Sequence, residues 1–156
     1  MDVFESFFSA AKNLNEQLGR ELFDVLPEDG PIIVIINRDG DCWPSDSERF
    51  SGLGINEEFF QKLCDKIDDG QEPIVTKKKD CAIIGTQLAT EQTNCGYAFV
   101  VLPECTAESA LINIRLIEIV LAQIGLIGKL IEKNDRLYEL QMKQFDDYHS
   151  CDSAIN

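Results

Sequence analysis

The chain has 156 residues, 44% hydrophobic and 27% charged, which is ordinary usage for a single globular domain. Its formal net charge of −14 argues against a nucleic-acid backbone or an anionic membrane surface as a partner. The six cysteines have no CxxC spacing, and disulfide scaffolds are usually smaller secreted domains. The first residues carry no basic segment of a secretory signal. We therefore expect a cytoplasmic protein with reduced thiols.

Helix and strand patterns alternate through the first third of the chain. Residues 1–26 form the first predicted helix, because apolar side chains recur there at spacings of three and four. Residues 31–37 (PIIVIIN) predict a central strand covered on both faces, since they are continuously apolar. Residues 38–41 predict a turn in which Gly40 supplies a positive φ. A short outgoing strand follows at residues 42–44.

The middle of the chain reads as a loop, a helix and three strands. Residues 45–55 are loop-like, and Asn56 is a suitable cap for a helix that ends at residues 68–70. Strands are predicted at residues 73–76, 81–90 and 96–102, with Gly85 at a β-bulge. The predicted elements contain no strand-helix-strand repeat, which would indicate a parallel sheet. We therefore expect an antiparallel sheet with helices on one face.

Residues 106–145 predict one long helix, which the rest of the chain is organised around. Thr106 is its expected cap, and residues beyond 145 are polar and expected to be frayed. Written as heptads, the run places Asn134 at an a position, where asparagine fixes the register of a parallel pair at a cost in stability. The alternative is a helix that folds back on its own domain with Asn134 exposed. The predicted homodimer interface consists of Val120, Ile127, Leu130, Ile131, Asn134, Leu137 and Tyr138.

The body of the chain resembles a small GAF domain or its PAS and profilin-like relatives. The resemblance rests on the IIVIINRDGDCWP hairpin, the GYAFVVLPE closing strand and the helix that leaves the body directly after it. It implies an α+β fold with a GAF-like antiparallel sheet, N- and C-terminal helices packed on one face and a long C-terminal helix. Residues 1–145 would then form a single domain, and residues 146–156 a flexible tail. The resemblance further implies a sensor that is usually dimeric through its first and last helices.

The residues that would hold a ligand lie in and after the first hairpin. The predicted ligand-binding residues are Cys42, Trp43, Phe50 and Tyr97. The alternative for Trp43 is an aromatic at the rim of the core, because most large aromatic side chains simply pack. The bilin-binding setting and the cyclic-nucleotide signature of some GAF domains are absent from the sequence. Neither ligand class is supported.

Catalysis is not indicated by any motif. The single histidine, His149, lies in the polar tail, and no His, Cys, Asp and Glu residues have metal-ligand spacing. We therefore expect no catalytic residue, metal or cofactor, and a regulatory or ligand-sensing role that signals to a separate output protein. Two alternatives stay open: a thiol-dependent enzyme, with Cys42 or Cys95 as its nucleophile, and a profilin-like structural adaptor.

Overall fold

The computed structural model of the protein describes residues 15–90 and 94–154. Its strands are β1 (Ile32–Asn37), β2 (Cys42–Pro44), β3 (Ile74–Lys78), β4 (Cys81–Ala89) and β5 (Asn94–Pro103). Its helices are α1 (described over residues 15–23), α2 (Ser47–Gly52), α3 (Glu57–Asp68), α4 (Ala107–Ile112) and α5 (Ile114–Ala154). The strands form one antiparallel sheet in the order β2-β1-β5-β4-β3. The predicted α+β class, antiparallel sheet and long C-terminal helix are therefore confirmed.

Helices cover both faces of the sheet. Successive side chains of a strand point to opposite faces, so the fully buried β1 needs cover on each side. Ile33 and Ile35 belong to a cluster that includes Leu18 of α1 and Ile124 of α5. Val34, between them, points to the other face and belongs to a second cluster, which joins β1 to α3. The α3 members of this second cluster are Phe60, Leu63, Cys64 and Ile67.

The position of α3 corrects the prediction that all helices lie on one face. The described part of α1 and the first half of α5 do share a face, as predicted for the terminal helices. The first 14 residues of the predicted N-terminal helix lie outside the described residues.

Helix α3 begins where the sequence predicts. The side chain of Asn56, its predicted cap, accepts a 3.0 Å hydrogen bond from the amide of Phe59.

Asn37 builds the predicted turn between β1 and β2. Its side-chain oxygen accepts hydrogen bonds from the amides of Asp39 (3.0 Å) and Asp41 (2.8 Å). Gly40 has a φ of +91°, as the turn requires.

A separate prediction, the bulge at Gly85, is wrong. Gly85 pairs regularly with its β5 partner, and the register shifts between residues 88 and 89 instead.

The predicted terminal helix is divided in two. Thr106 caps α4, and Asn113 ends it, while the Asn113 carbonyl accepts the amide of Ile117 to begin α5. The second helix then has 41 residues, about 60 Å at the usual rise, and runs through Ala154 rather than ending near Phe145.

Within the described residues, no helix is long and apolar enough to cross a membrane.

Candidate functional site

A cavity of about 290 Å³ lies between the β1–β2 hairpin, α2 and the first turn of α3. Its floor and walls are mostly apolar, whereas serine, glutamine and glutamate side chains add polar groups. The lining residues are Ile36, Gly40, Cys42, Pro44, Ser47, Phe50, Ser51, Ile55, Glu57, Phe60 and Gln61. An apolar concavity with a few polar groups is the usual form of a small-molecule site.

Polar contacts hold α2 as one wall of this cavity. Ser45 exchanges two hydrogen bonds with Ile33: its amide donates to the Ile33 carbonyl (2.7 Å), and its hydroxyl accepts from the Ile33 amide (2.9 Å). Asp46 caps α2 by accepting from the amide of Arg49 at 2.9 Å. The Arg49 guanidinium donates at 2.9 Å to two carbonyl oxygens, at residues 28 and 30. These bonds fix α2, although none of its residues is buried.

Helix α2 was not predicted from the sequence because its six residues include a single apolar side chain, Phe50, and therefore show no helical apolar period. The sequence predicts a loop for this segment. The local signal for a helix is Asp46 followed by Glu48, an N-cap and a first-turn acid. The contribution of α3 to the cavity was also missed, because an exposed Glu57 at a helix start is equally typical of a solvated surface.

Aromatic rings form part of the cavity lining. The ring of Phe60 lies 5.6 Å from that of Phe50 and 5.3 Å from that of Phe99, both between ring centroids. These tilted and edge-to-face arrangements are the favoured geometries for aromatic pairs. Phe60 is therefore held by the core beneath it and offers a fixed apolar surface to the cavity.

Burial and a nearby negative charge raise the pKa of the cavity thiol. Burial, with a further contribution from the charge of Glu57, raises the pKa of Cys42 from 9.0 to about 11. A thiol that acts as an activated nucleophile needs a lowered pKa. The raised pKa therefore argues against Cys42 as the nucleophile of a thiol enzyme. The side chain of Cys95, the other candidate, lies outside the described residues.

The four predicted ligand-binding residues do not meet at one place. Cys42 and Phe50 line the cavity. Trp43 packs against the cluster on the opposite face, because neighbouring residues of a strand alternate. Tyr97 lies on the cavity face of the sheet, but Ile36 of β1 separates it from Cys42. Ile36 pairs with Cys42 of β2 on one side and with Tyr97 of β5 on the other. The Tyr97 hydroxyl donates to a carboxylate at the end of α3 instead, at 2.6 Å.

A second candidate surface is an apolar stripe on the side of α5 that faces away from the body. On the inward side, Ile117, Leu121 and Ile124 are buried in the core. On the outward side, apolar residues recur at spacings of three and four. The spacing is seven at two places, where Gln123 and Lys133 occupy the intervening position. The side chains of these apolar residues are 48–65% exposed. We call this set the outward stripe. It consists of Leu116, Ile119, Leu126, Leu130, Leu137 and Leu140.

The predicted dimer interface overlaps only partly with the outward stripe. Leu130 and Leu137 belong to both. Ile127 and Ile131, both members of the predicted interface, are half-buried and pack against the core of their own chain. Asn134 is exposed at the edge of the stripe. The remaining predicted members are exposed beside it, and they are Val120 and Tyr138.

Other chemistry finds little support in the described part of the chain. No group of three or more His, Cys, Asp or Glu side chains is placed there to hold a metal ion. Cys42, Cys64, Cys81 and Cys105 are free thiols. Cys81 and Cys105, which the hairpin arrangement would place at one end, pack against opposite core clusters.

Comparison of the chain with protein-family models, with curated proteins and with solved structures finds no match.

Proposed function

We propose that this chain is a non-enzymatic, GAF-like regulatory module that homodimerises through α5 and binds a small molecule in the cavity. The observation that carries the proposal is the outward stripe. Soluble monomers rarely expose contiguous apolar surface at regular spacing along a helix. A second copy of the same helix offers the matching spacing of threes and fours, which is the pattern of a two-stranded coiled coil.

The stripe is large enough for a specific interface. Its six side chains are about half exposed or more, so pairing two copies would bury on the order of 1,200 Å² of surface, the lower end of the range for specific interfaces. The stripe lies opposite the buried side of α5. Two paired helices would therefore carry their bodies on the outer sides, where they do not obstruct each other.

Charges beside the stripe favour a parallel pair. An antiparallel pair would place the basic flank of one helix against the basic flank of the other. A parallel pair places the basic flank of each helix against the uncharged flank of its partner, which avoids like-charge contacts between the flanks, although the two copies of Lys133, in line with the stripe, face each other. The basic flank carries Arg115, Lys129, Arg136 and Lys143, and the uncharged flank carries Val120, Ile127, Asn134 and Gln141.

Strand β1 connects the two candidate surfaces. Ile36 lines the cavity on one face of the sheet, and its neighbour Ile35 belongs to the cluster that holds α5 on the other face. A ligand that binds better to one arrangement of the two clusters would shift the population of α5 arrangements. The output would then be read by a separate protein that recognises the dimer.

Sedimentation equilibrium tests the assembly. We expect a dimer at tens of micromolar, and expect Leu130→Glu and Leu137→Glu to give monomers because each places like charges in the stripe. Met142→Glu is the matched control: Met142 is 46% exposed on the same helix but lies off the stripe. A monomeric parent protein, or an equal effect of all three variants, would contradict the proposal.

A further inference from the structure

The cavity has one charged lining residue among those that the structure describes, and it is an acid. Glu57 lies in the first turn of α3, is exposed and makes no ion pair with another described residue. The neighbouring cations are engaged with other groups. Arg49 donates to backbone carbonyls, Lys62 pairs with Glu58, and Lys79 donates to the Gly54 carbonyl. Within the described residues, no basic side chain lines the cavity to attract an anion.

The other polar group of interest is the Gln61 amide. Its nitrogen donates to Asp65 at 3.3 Å, which leaves its oxygen available to accept. That oxygen lies on the side of Gly40, since a Cβ built on Gly40 would be 3.7 Å from it. Beside the hydroxyls of Ser47 and Ser51, the cavity therefore offers a carboxylate and an amide oxygen as acceptors in front of the aromatic surface of Phe50 and Phe60.

We infer that the cavity is a site for a small ammonium compound with an apolar or aromatic body. The apolar body would fill the space against Phe50, Phe60 and Ile55, and the ammonium would donate to Glu57 and Gln61. A cation near aromatic faces and a carboxylate is stabilised by both. At interior packing density a non-hydrogen atom occupies roughly 20 Å³, so the volume of about 290 Å³ holds roughly 14 of them, which sets an upper size for the ligand.

The state of Cys42 supports the same assignment. Burial and then the charge of Glu57 raise the pKa of the Cys42 thiol, so the Glu57 carboxylate lies close to the wall that Cys42 forms. The thiol is neutral at neutral pH in either case, so Glu57 is the one anionic side chain among the described residues that line the cavity. This inference rests on the proposed ligand-sensing role, but not on the proposed dimer.

Three probes of nearly the same shape test the charge preference. Phenethylamine, 2-phenylethanol and phenylacetate would each be titrated into the ¹⁵N-labelled full chain at neutral pH and low salt. We expect saturable amide shifts in β2, α2 and the first turn of α3 with phenethylamine. The alcohol should bind about tenfold more weakly, and the acid more weakly still, because each loses the charged hydrogen bond.

Two adjacent glutamates provide the matched comparison. Glu57→Gln should remove the preference for the amine over the alcohol, whereas Glu58→Gln should keep it. Both residues are exposed in the first turn of α3, but only Glu57 lines the cavity. Melting curves of the two variants would show that each is folded.

Three results would overturn the inference: no saturable shift with any probe, equal affinity for all three, or an equal effect of the two variants. The dimer is measured separately, by sedimentation without any probe. If the protein dimerises but does not bind phenethylamine, the proposed ligand class is wrong and the proposed dimer stands. If the protein is monomeric and binds phenethylamine, the proposed dimer is wrong and the ligand class stands.

Discussion

The hydroxyl of Tyr97 donates a 2.6 Å hydrogen bond to Oδ2 of Asp68, the last residue of α3. The guanidinium of Arg38 lies 3.5 Å from the same oxygen and 5.6 Å from the centroid of the Tyr97 ring. Burial and then this hydrogen bond raise the pKa of the Tyr97 phenol above its ordinary range. The group ties the C-terminal end of α3 to β5, at the opposite end of α3 from the cavity.

Replacing Tyr97 with Phe should therefore destabilise the protein modestly. The substitution removes the bond to Asp68 while keeping the buried ring, so we expect the free energy of unfolding to fall by about 1 kcal/mol. Urea unfolding followed by circular dichroism measures the change. Tyr138→Phe is the control, because Tyr138 is 63% exposed and should unfold like the parent. Equal values for the two variants would mean that the bond contributes nothing.

Stability should fall as the pH rises above about 9. The pKa values of Cys42 and Cys64 are raised from 9.0 to about 11 and about 12, chiefly by burial, and that of Tyr97 is also raised. Between the ordinary and the raised pKa, the unfolded chain loses protons that the folded chain keeps. The unfolded state then binds fewer protons, so the free energy of unfolding falls with pH.

Urea unfolding at about pH 8 and about pH 10.5 checks this dependence. Cys64→Ala should flatten it, because one buried titrating group is removed. Ile67→Val is the control: it trims another buried α3 side chain but removes no titrating group. The same pH dependence in Cys64→Ala as in the control would argue that the thiol is not the source.

Gly85 should tolerate no side chain. A Cβ built at this position lies 2.3 Å from the ring of Phe99, its partner across β4 and β5. Gly85→Ala must displace a fully buried ring, so we expect a loss of about 1–3 kcal/mol in the free energy of unfolding. Gly125→Ala has nothing within 4 Å of the added carbon and lies inside α5, so it should stabilise the helix by about 0.5–1 kcal/mol. A melting comparison separates the two outcomes.

Gln123 should limit the strength of the proposed dimer. It lies in line with the outward stripe, between Ile119 and Leu126, where a polar side chain interrupts the apolar contact. Gln123→Leu should tighten the dimer about tenfold by completing the stripe. Asn134→Leu, at the exposed edge, should have a smaller effect. Dissociation constants from sedimentation over a dilution series decide the order, and a larger effect at Asn134 would favour the register predicted from the sequence.

The sequence allowed prediction of those elements whose local signals agree with their tertiary surroundings. The isoleucine run of β1, the Asn56 cap of α3 and the Gly40 turn each carry a local chemical reason for their structure. The division at Asn113 was missed because the apolar pattern continues across it. The heptad phase predicted from the sequence differs from that of the outward stripe, because α5 is apolar almost all round and only the core contacts reveal which side faces outward.

The cavity could be located only approximately from the sequence. The segment after the first hairpin lines the cavity, but the predicted ligand-binding residues include both Cys42 and Trp43, which the alternation of a strand sends to opposite faces of the sheet. The role of Glu57 required the arrangement of α3 against β2. No local signal distinguishes such an acid from its neighbour Glu58.

The way α2 is attached has a consequence for access to the cavity. Because no residue of α2 is fully buried and Phe50 is its one apolar side chain, its detachment breaks the hydrogen bonds of Ser45 and Arg49 and the packing of Phe50 on Phe60 but leaves the rest of the core covered. Local opening of this segment is therefore much less costly than global unfolding. A molecule could enter and leave from the α2 side while the sheet and α5 stay intact, so exchange of the bound molecule need not disturb the assembled protein.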